Sequence, residues 1–293
     1  MTAVPDISVV IASFSGEVAL RNCLESILSQ TSTAEILVAL DACAPAAQSL
    51  PSRFPGVRFL PAPPGTDVFQ LRTRGISAAH APLIALTEDH CTVSPHWLVA
   101  LLEAFHDGHT IVGGPVENGL DRRLSDWALF CCEYLALLPP VSDGRTRVLS
   151  GVNVAYRRDA LERCRATWAE AFYENEVHEA LQRCGFAIHC ASRALVVSHL
   201  QLPFGTALRS LYRGGERFGR HRQLHSSSAR RWMWVLAAPA VPFMQLQRIV
   251  LTLRRRRPAK LGRLLLALPH ILCLVGAWSA GEAAGYLHAA RST

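Results

Sequence analysis

The first two hundred residues predict a mostly parallel, doubly wound α/β sheet flanked by helices. Three observations carry this. Strand-like and helix-like segments alternate, the strand segments are unbroken apolar runs, and polar residues collect just past the strand ends. An unbroken apolar run belongs to a strand covered on both faces, as in a parallel sheet sandwiched between helices.

Taken in order, "ISVVIA" at 7–12 is the first such strand, and a helix follows from Glu17 to about Gln30, with Val18, Leu20, Leu24, Ile27 and Leu28 at helical spacing. "EILVAL" at 35–40 is a second buried strand ending at Asp41, and "VRFL" at 57–60 is a third. "FQLRTRGISAAHA" reads as a helix, "LIALT" at 83–87 as a fourth strand, and "PHWLVALLEAF" as a helix that Ser94 is placed to cap. "HTIVGGPVE" reads as one strand entering Gly-rich backbone. From 118 to 149 the pattern weakens to a long loop with a short helix near Trp127–Leu138. Regular structure returns at "SGVNVAYRRDAL", in a helix from about Glu174 to Cys184, and at "ALVVSH".

The final portion changes character, and the spacing predicts a boundary at 224/225, with "HSSSARR" as the hinge into a C-terminal region of 225–293. Two apolar runs, 232–253 and 264–290, flank the basic "RRRRPAKLGR". Charge follows the same division: residues 1–201 carry 15 Arg against 21 acids, residues 202–293 carry 15 Lys and Arg against 2 acids, and the net charge is +7. A basic segment of this kind answers an anionic surface. Its interleaved apolar runs point to a membrane surface, not to nucleic acid. A plain two-span hairpin would carry Arg254–Arg257 to the far side, against the positive-inside tendency, so broken interfacial helices or a re-entrant hairpin are expected. Buried helices of a soluble domain are the competing reading.

Nine cysteines, two of them adjacent at Cys131–Cys132 and none in a CxxC pair, argue for free thiols in a reducing compartment. The N-terminus "MTAVPDISVVIASF" has neither a basic stretch nor a long apolar core of the signal-peptide kind.

In a doubly wound sheet, ligands bind beyond the carboxyl ends of the strands. Asp41 and the triplet Glu88, Asp89, His90 fall there. A divalent cation on one or two side chains at such an end, with open coordination positions, is a typical device for holding a diphosphate. In extended backbone Glu88 and His90 would point the same way, with Asp89 turned aside. Asp41 suits a base or sugar hydroxyl, and Arg72 and Arg74 suit phosphate charge. The first strand leads into "ASFSGE" with no GxGxxG, which disfavours a dinucleotide-binding enzyme.

These segments resemble the family-2 glycosyltransferases, which have the GT-A nucleotide-sugar-binding fold. "ISVVIASFSGEVALRNCLESILSQT" is similar to the family's "SVVIPSYN…L..CLESLLAQT", and "EILVALDACAP" stands where "EIIVVDDGSTD" is usual. "LRTRGISAAHAPLIALTEDHCTVSPHWL" resembles "ARNRGIAAARGEYIAFLDDDDLPDPDWL". "GVNVAYRRDAL" and "YENEVHEALQRCGFAIHCASRALVVSH" resemble the acceptor-side motifs, and the likeness covers roughly residues 6–200.

The resemblance implies nucleotide-sugar contacts at Ala12, Ser13, Asp41, Arg72, Glu88 and Asp89, with Leu40 replacing the first Asp of the DDGS motif. It implies a metal, Mn2+ or Mg2+, at the end of the DxD motif, here reading Glu-Asp-His. His90 would be the ligand, supported by Glu88 and by His199, which is otherwise a core histidine. Imidazole suits manganese better than magnesium. Glu174 stands where the family has its catalytic base, with Glu176 as the alternative; either also suits the dipole of a helix start. The expected activity is inverting transfer from a UDP-, GDP- or TDP-sugar to a lipid-linked or cell-envelope glycan, at the cytoplasmic face of the membrane. Leu40 and His90 keep open a catalytically silent, membrane-docked scaffold.

Overall fold

The structure, a computed structural model, describes residues 5–120, 122–223 and 228–288. The chain forms two compact units: Met1–Gly119 with Leu137–His199, and Leu120–Ala136 with Leu200–Thr293. The expected boundary at 224/225 lies outside the described residues.

In the first unit the strands are β1 (Ile7–Ser13), β2 (Glu35–Asp41), β3 (Val57–Ala62), β4 (Leu83–Glu88), β5 (Cys91–Val93), β6 (Ile111–Gly113), β7 (Val116–Asn118), β8 (Gly144–Thr146), β9 (Val154–Arg157), β10 (Ile188–Cys190) and β11 (Val196–Ser198). Eight of them form one sheet in the order β3-β2-β1-β4-β9-β6-β10-β8, and β5-β11-β7 form a second. The helices are α1 (Glu17–Leu28), α2 (Pro45–Ser49), α3 (Val68–Ala78) and α4 (Trp97–His106), then α5 (Leu124–Glu133) of the second unit, then α6 (Arg158–Arg163), α7 (Arg165–Trp168) and α8 (Glu174–Arg183).

The four strands read most readily from sequence, β3, β2, β1 and β4, pair parallel. β1 is buried along its whole length, as its unbroken apolar run requires. The sheet then turns antiparallel at β9, which lies between β4 and β6. α1 presents Leu20, Cys23, Leu24 and Ile27 to the core, whereas Val18 and Leu28, also at helical spacing, face solvent. α3 is fixed at its start by a capping box in which Asp67 accepts from the Gln70 backbone N–H and Gln70 accepts from that of Asp67.

Three expectations are corrected. "HTIVGGPVE" is two strands in different sheets, because Gly113 and Gly114 lie against the Asn153 and Ala194 carbonyls, where no side chain fits. The buried Asn153 amide fastens this corner, donating to the Pro115 and Ala194 carbonyls and accepting from the Trp97 indole. Ser94 does not cap α4 with its side chain; its hydroxyl donates to the Arg193 carbonyl instead. The stretch 118–149 holds a ten-residue helix and an edge strand, β8. All nine cysteines are free.

The second unit continues with α9 (Phe204–Gln223), α10 (Ser228–Ala237), α11 (Val241–Arg256) and α12 (Leu261–His288). Residues 228–231 of the expected hinge are helical in α10, and 225–227 lie outside the described residues. α9 and α12 pack backbone to backbone. A Cβ on Gly215 or Gly219 would meet α12 carbonyls, and one on Gly281 or Gly285 would meet those of Tyr212 or Glu216. Two stretches of this unit, Arg230–Arg256 and Pro258–Leu287, are long and apolar enough to cross a membrane.

Candidate active site

β4 runs into a turn at Asp89–His90 before β5 resumes, so the backbone of the triplet is not extended as the i, i+2 argument assumed. The side chains nonetheless divide as expected. Asp89 turns aside, and its Oδ2 accepts from the Ser13 hydroxyl at 2.9 Å and from the backbone N–H of Phe14 and Ser15 at 2.8 and 2.6 Å. It therefore pins the loop after β1. Glu88 and His90 stay together, with Nδ1 of His90 3.4 Å from Oε2 of Glu88.

His90 is 2% exposed, and neither of its ring nitrogens has a hydrogen-bond partner. Burial pushes the imidazole pKa down, outweighing the neighbouring carboxylates, so the ring is neutral and able to ligate. A carboxylate oxygen beside an unsatisfied neutral imidazole fits a divalent cation that takes its other ligands from a diphosphate. Among the described residues no group of three His, Cys, Asp or Glu side chains converges as a closed metal site.

Arg72 is expected beside the nucleotide, but its bridge between two carboxylates is a feature that sequence did not place. It stands on α3 with its guanidinium buried between two carboxylates, donating to Glu88 Oε1 at 2.5 Å and to Glu174 Oε2 at 2.7 Å. Glu174, 102 residues away from it in sequence, is thus joined to the strand-end triplet. A Cβ on Gly151 would meet the guanidinium, so a side chain there would push Arg72 out of the bridge.

Glu174 opens α8, and burial pushes its carboxyl up. Arg72, its own backbone N–H and His178 together outweigh this and hold it below the ordinary value. Glu176 is two residues on, about 200° around the helix, and does not share the Glu174 face. His178, one turn after Glu174, was not singled out by sequence. It is buried with Nε2 2.8 Å from the Tyr156 hydroxyl, and burial lowers its pKa to about 4. Its only sequence signal is the i, i+4 spacing from Glu174.

The other expected site residues are spread along the strand ends. Asp41 accepts from the backbone N–H of Cys43 at 2.7 Å and of Gly65 at 3.1 Å, and so organises two loops. Leu40 is fully buried, and the Ala12 side chain belongs to a small core with Ala39, Ala62 and Leu71. His199 bonds the Thr92 hydroxyl at 3.0 Å through Nε2, and its backbone N–H donates to the His90 carbonyl. Arg74 is exposed, away from the Arg72 cluster, on a hollow lined by Leu60, Gln70 and Ser77.

A comparison with curated protein sequences finds no match. Among solved structures, the mannosyltransferase PcManGT from Pyrobaculum calidifontis, in complex with GDP-Man and Mn2+, superposes with a TM-score of 0.58 at 12% identity, over 95% of this chain and 88% of that one. That likeness is one of fold. The sequence profile of Glycosyl transferase family 2 matches residues 8–165, more than half of the chain and every element from β1 to β9. The chain therefore belongs to glycosyl transferase family 2 and is a glycosyltransferase of the GT-A type.

Proposed function

We propose that this enzyme transfers a sugar, with inversion, from a nucleoside-diphosphate sugar to a hydroxyl of a lipid-linked or cell-envelope glycan at the cytoplasmic face of a membrane. The observation that carries the reading is the Arg72 bridge, which joins a carboxylate of the strand-end triplet and a carboxylate at a helix start through one buried guanidinium.

Glu174 serves as the base. Held ionised by Arg72, it is ready at neutral pH to take the acceptor hydroxyl proton as that oxygen attacks the anomeric carbon. The bond from that carbon to the diphosphate oxygen breaks on the opposite face, and the configuration inverts. A positioned base contributes about 10²–10⁴-fold. Glu88 and His90 would hold the divalent cation, which supplies charge neutralisation at the departing diphosphate. Asp89 keeps the Ser13–Ser15 loop in place, and Asp41 orders the loops expected around the base and ribose. The two apolar C-terminal stretches support a membrane location, and with it a lipid-linked acceptor.

GDP-mannose with Mn2+, the pair bound by the structural neighbour, is the first donor and cation to test. Released nucleotide is measured against a panel of UDP-, GDP- and TDP-sugars with Mn2+ or Mg2+. One donor should be turned over by the native enzyme and not by Glu174→Gln. Failure of every donor, together with no metal-dependent nucleotide binding, would establish the silent scaffold instead.

A further inference from the structure

The second unit carries an outward face whose chemistry changes along its length. On α10 and α11, after the exposed Arg230, the exposed positions Trp232, Met233, Leu236, Phe243 and Met244 are apolar. Further along α11 they become Gln247, Arg248, Leu251, Arg254 and Arg255, mostly polar or basic. Met244, Arg248, Leu251 and Arg255 line a hollow of about 420 Å³ on this helix. On α12 the exposed apolar side chains Leu265, Leu266, Leu272 and Cys273 gather between the basic turn and the middle of the helix, with Leu287 alone at the far end.

Most of the rest of α12 is covered, with only Ala280 and Leu287 exposed among its described residues beyond Cys273. From Trp278 to Gly285 it packs against α9, whose solvent side bears Arg209, Arg213 and Arg220. The same half of α12 buries Glu282, which accepts from the Tyr286 hydroxyl at 2.7 Å. For α12 to cross a bilayer, the α9 arginines would have to enter hydrocarbon, at about 2.5–3.5 kcal/mol each or more. The nine residues from 265 to 273 span roughly 13 Å of helix, against a hydrocarbon core about 30 Å thick.

Building on the membrane location proposed above, we infer that this unit lies in one leaflet and does not cross it. In this arrangement the α10–α11 face and the exposed start of α12 enter the acyl boundary. Arg248, Arg254 and Arg255 seat anionic phospholipid headgroups, with the α11 hollow holding a headgroup phosphate between Arg248 and Arg255. Arginine suits this task because its planar fork matches phosphate oxygens.

Co-sedimentation of the full chain with phosphatidylcholine vesicles, with and without about a third phosphatidylglycerol, tests the headgroup seat. Binding should require the anionic lipid and weaken with salt. Each arginine near such a surface contributes about fivefold, so Arg248→Gln/Arg254→Gln/Arg255→Gln should bind roughly a hundredfold more weakly. The corresponding triple Lys variant should retain most binding, which separates lost charge from lost folding. Equal binding to both vesicles overturns the seat but leaves the membrane location standing; no binding to either overturns both. The leaflet arrangement is read with an impermeant maleimide on sealed proteoliposomes. Arg254→Cys should label from the same side as exposed Cys43. Labelling of position 254 only after the vesicles are opened would establish a spanning hairpin.

Discussion

Arg72 lies 2.7 Å from Glu174, and this ion pair, in a buried setting, is what turns a strand-end motif and a distant helix start into one site. The same guanidinium also neutralises Glu88, so a single buried cation serves one buried carboxylate and one half-buried one. Removing one member of such a cluster leaves uncompensated charge in a low-dielectric pocket. Arg72→Ala should therefore destabilise the enzyme by about 3–5 kcal/mol, read as a lowered urea midpoint. Arg72→Lys should recover only part of this, because one ammonium cannot reproduce the fork that reaches both carboxylates. An Arg72→Ala variant as stable as the native enzyme would show that the bridge has no energetic role.

Glu174 and Glu176 separate cleanly by substitution. Glu174→Gln keeps the shape and an acceptor oxygen for Arg72 but cannot take a proton, so the transfer rate should fall by at least about 10²-fold with nucleotide binding retained. Glu176→Gln should transfer sugar at close to the native rate, since that side chain projects from another side of α8. The reverse order of effects would move the base to Glu176.

How much of this the sequence disclosed follows from which signals are local. The parallel core was legible because a strand buried on both faces must be an apolar run, as "ISVVIA" and "LIALT" are. The corner of the candidate site was legible because Asp41 and Glu88 close such runs. What stayed hidden depends on contacts distant in sequence. Arg72 reads from sequence as a phosphate contact, and its bridge forms only when folding sets Glu88 on one side of it and Glu174 on the other. Asp89 is expected from sequence to turn aside, and only the Ser13–Ser15 backbone shows that it also anchors the loop after β1. Three-residue strands such as β6 and β7 are too short to carry a period, so their parting into two sheets left no trace in the sequence.

On the proposed reading, in which His90 and Glu88 hold the cation, His90 sets the metal preference. A buried neutral imidazole without a hydrogen-bond partner suits manganese, whereas a carboxylate there would suit magnesium equally well. His90→Asp should therefore shift metal-dependent nucleotide binding from a Mn2+ preference toward Mg2+, measured as thermal stabilisation by nucleotide with each ion. An unchanged metal profile would remove His90 from the ligand set.

Acid stability should depend on a residue far from the chemistry, at the opposite end of the strands. Glu35 begins β2 and accepts from the Ser8 hydroxyl, the His80 backbone N–H, the His80 ring and Arg58. Burial pushes its carboxyl up, but these four partners outweigh it and hold the pKa at about 2, against 4.5 when free. Folding thus favours the ionised form. Its stabilisation is complete above about pH 4.5 and is lost as pH falls through about 2. Because Arg58 and His80 are largely solvent-exposed, the contribution is about 1–2 kcal/mol. Glu35→Gln should be less stable than the native chain by that amount at neutral pH, and the two denaturation midpoints should converge between pH 4.5 and 2. A gap that stays constant across this range would mean that the Glu35 charge contributes nothing to the fold.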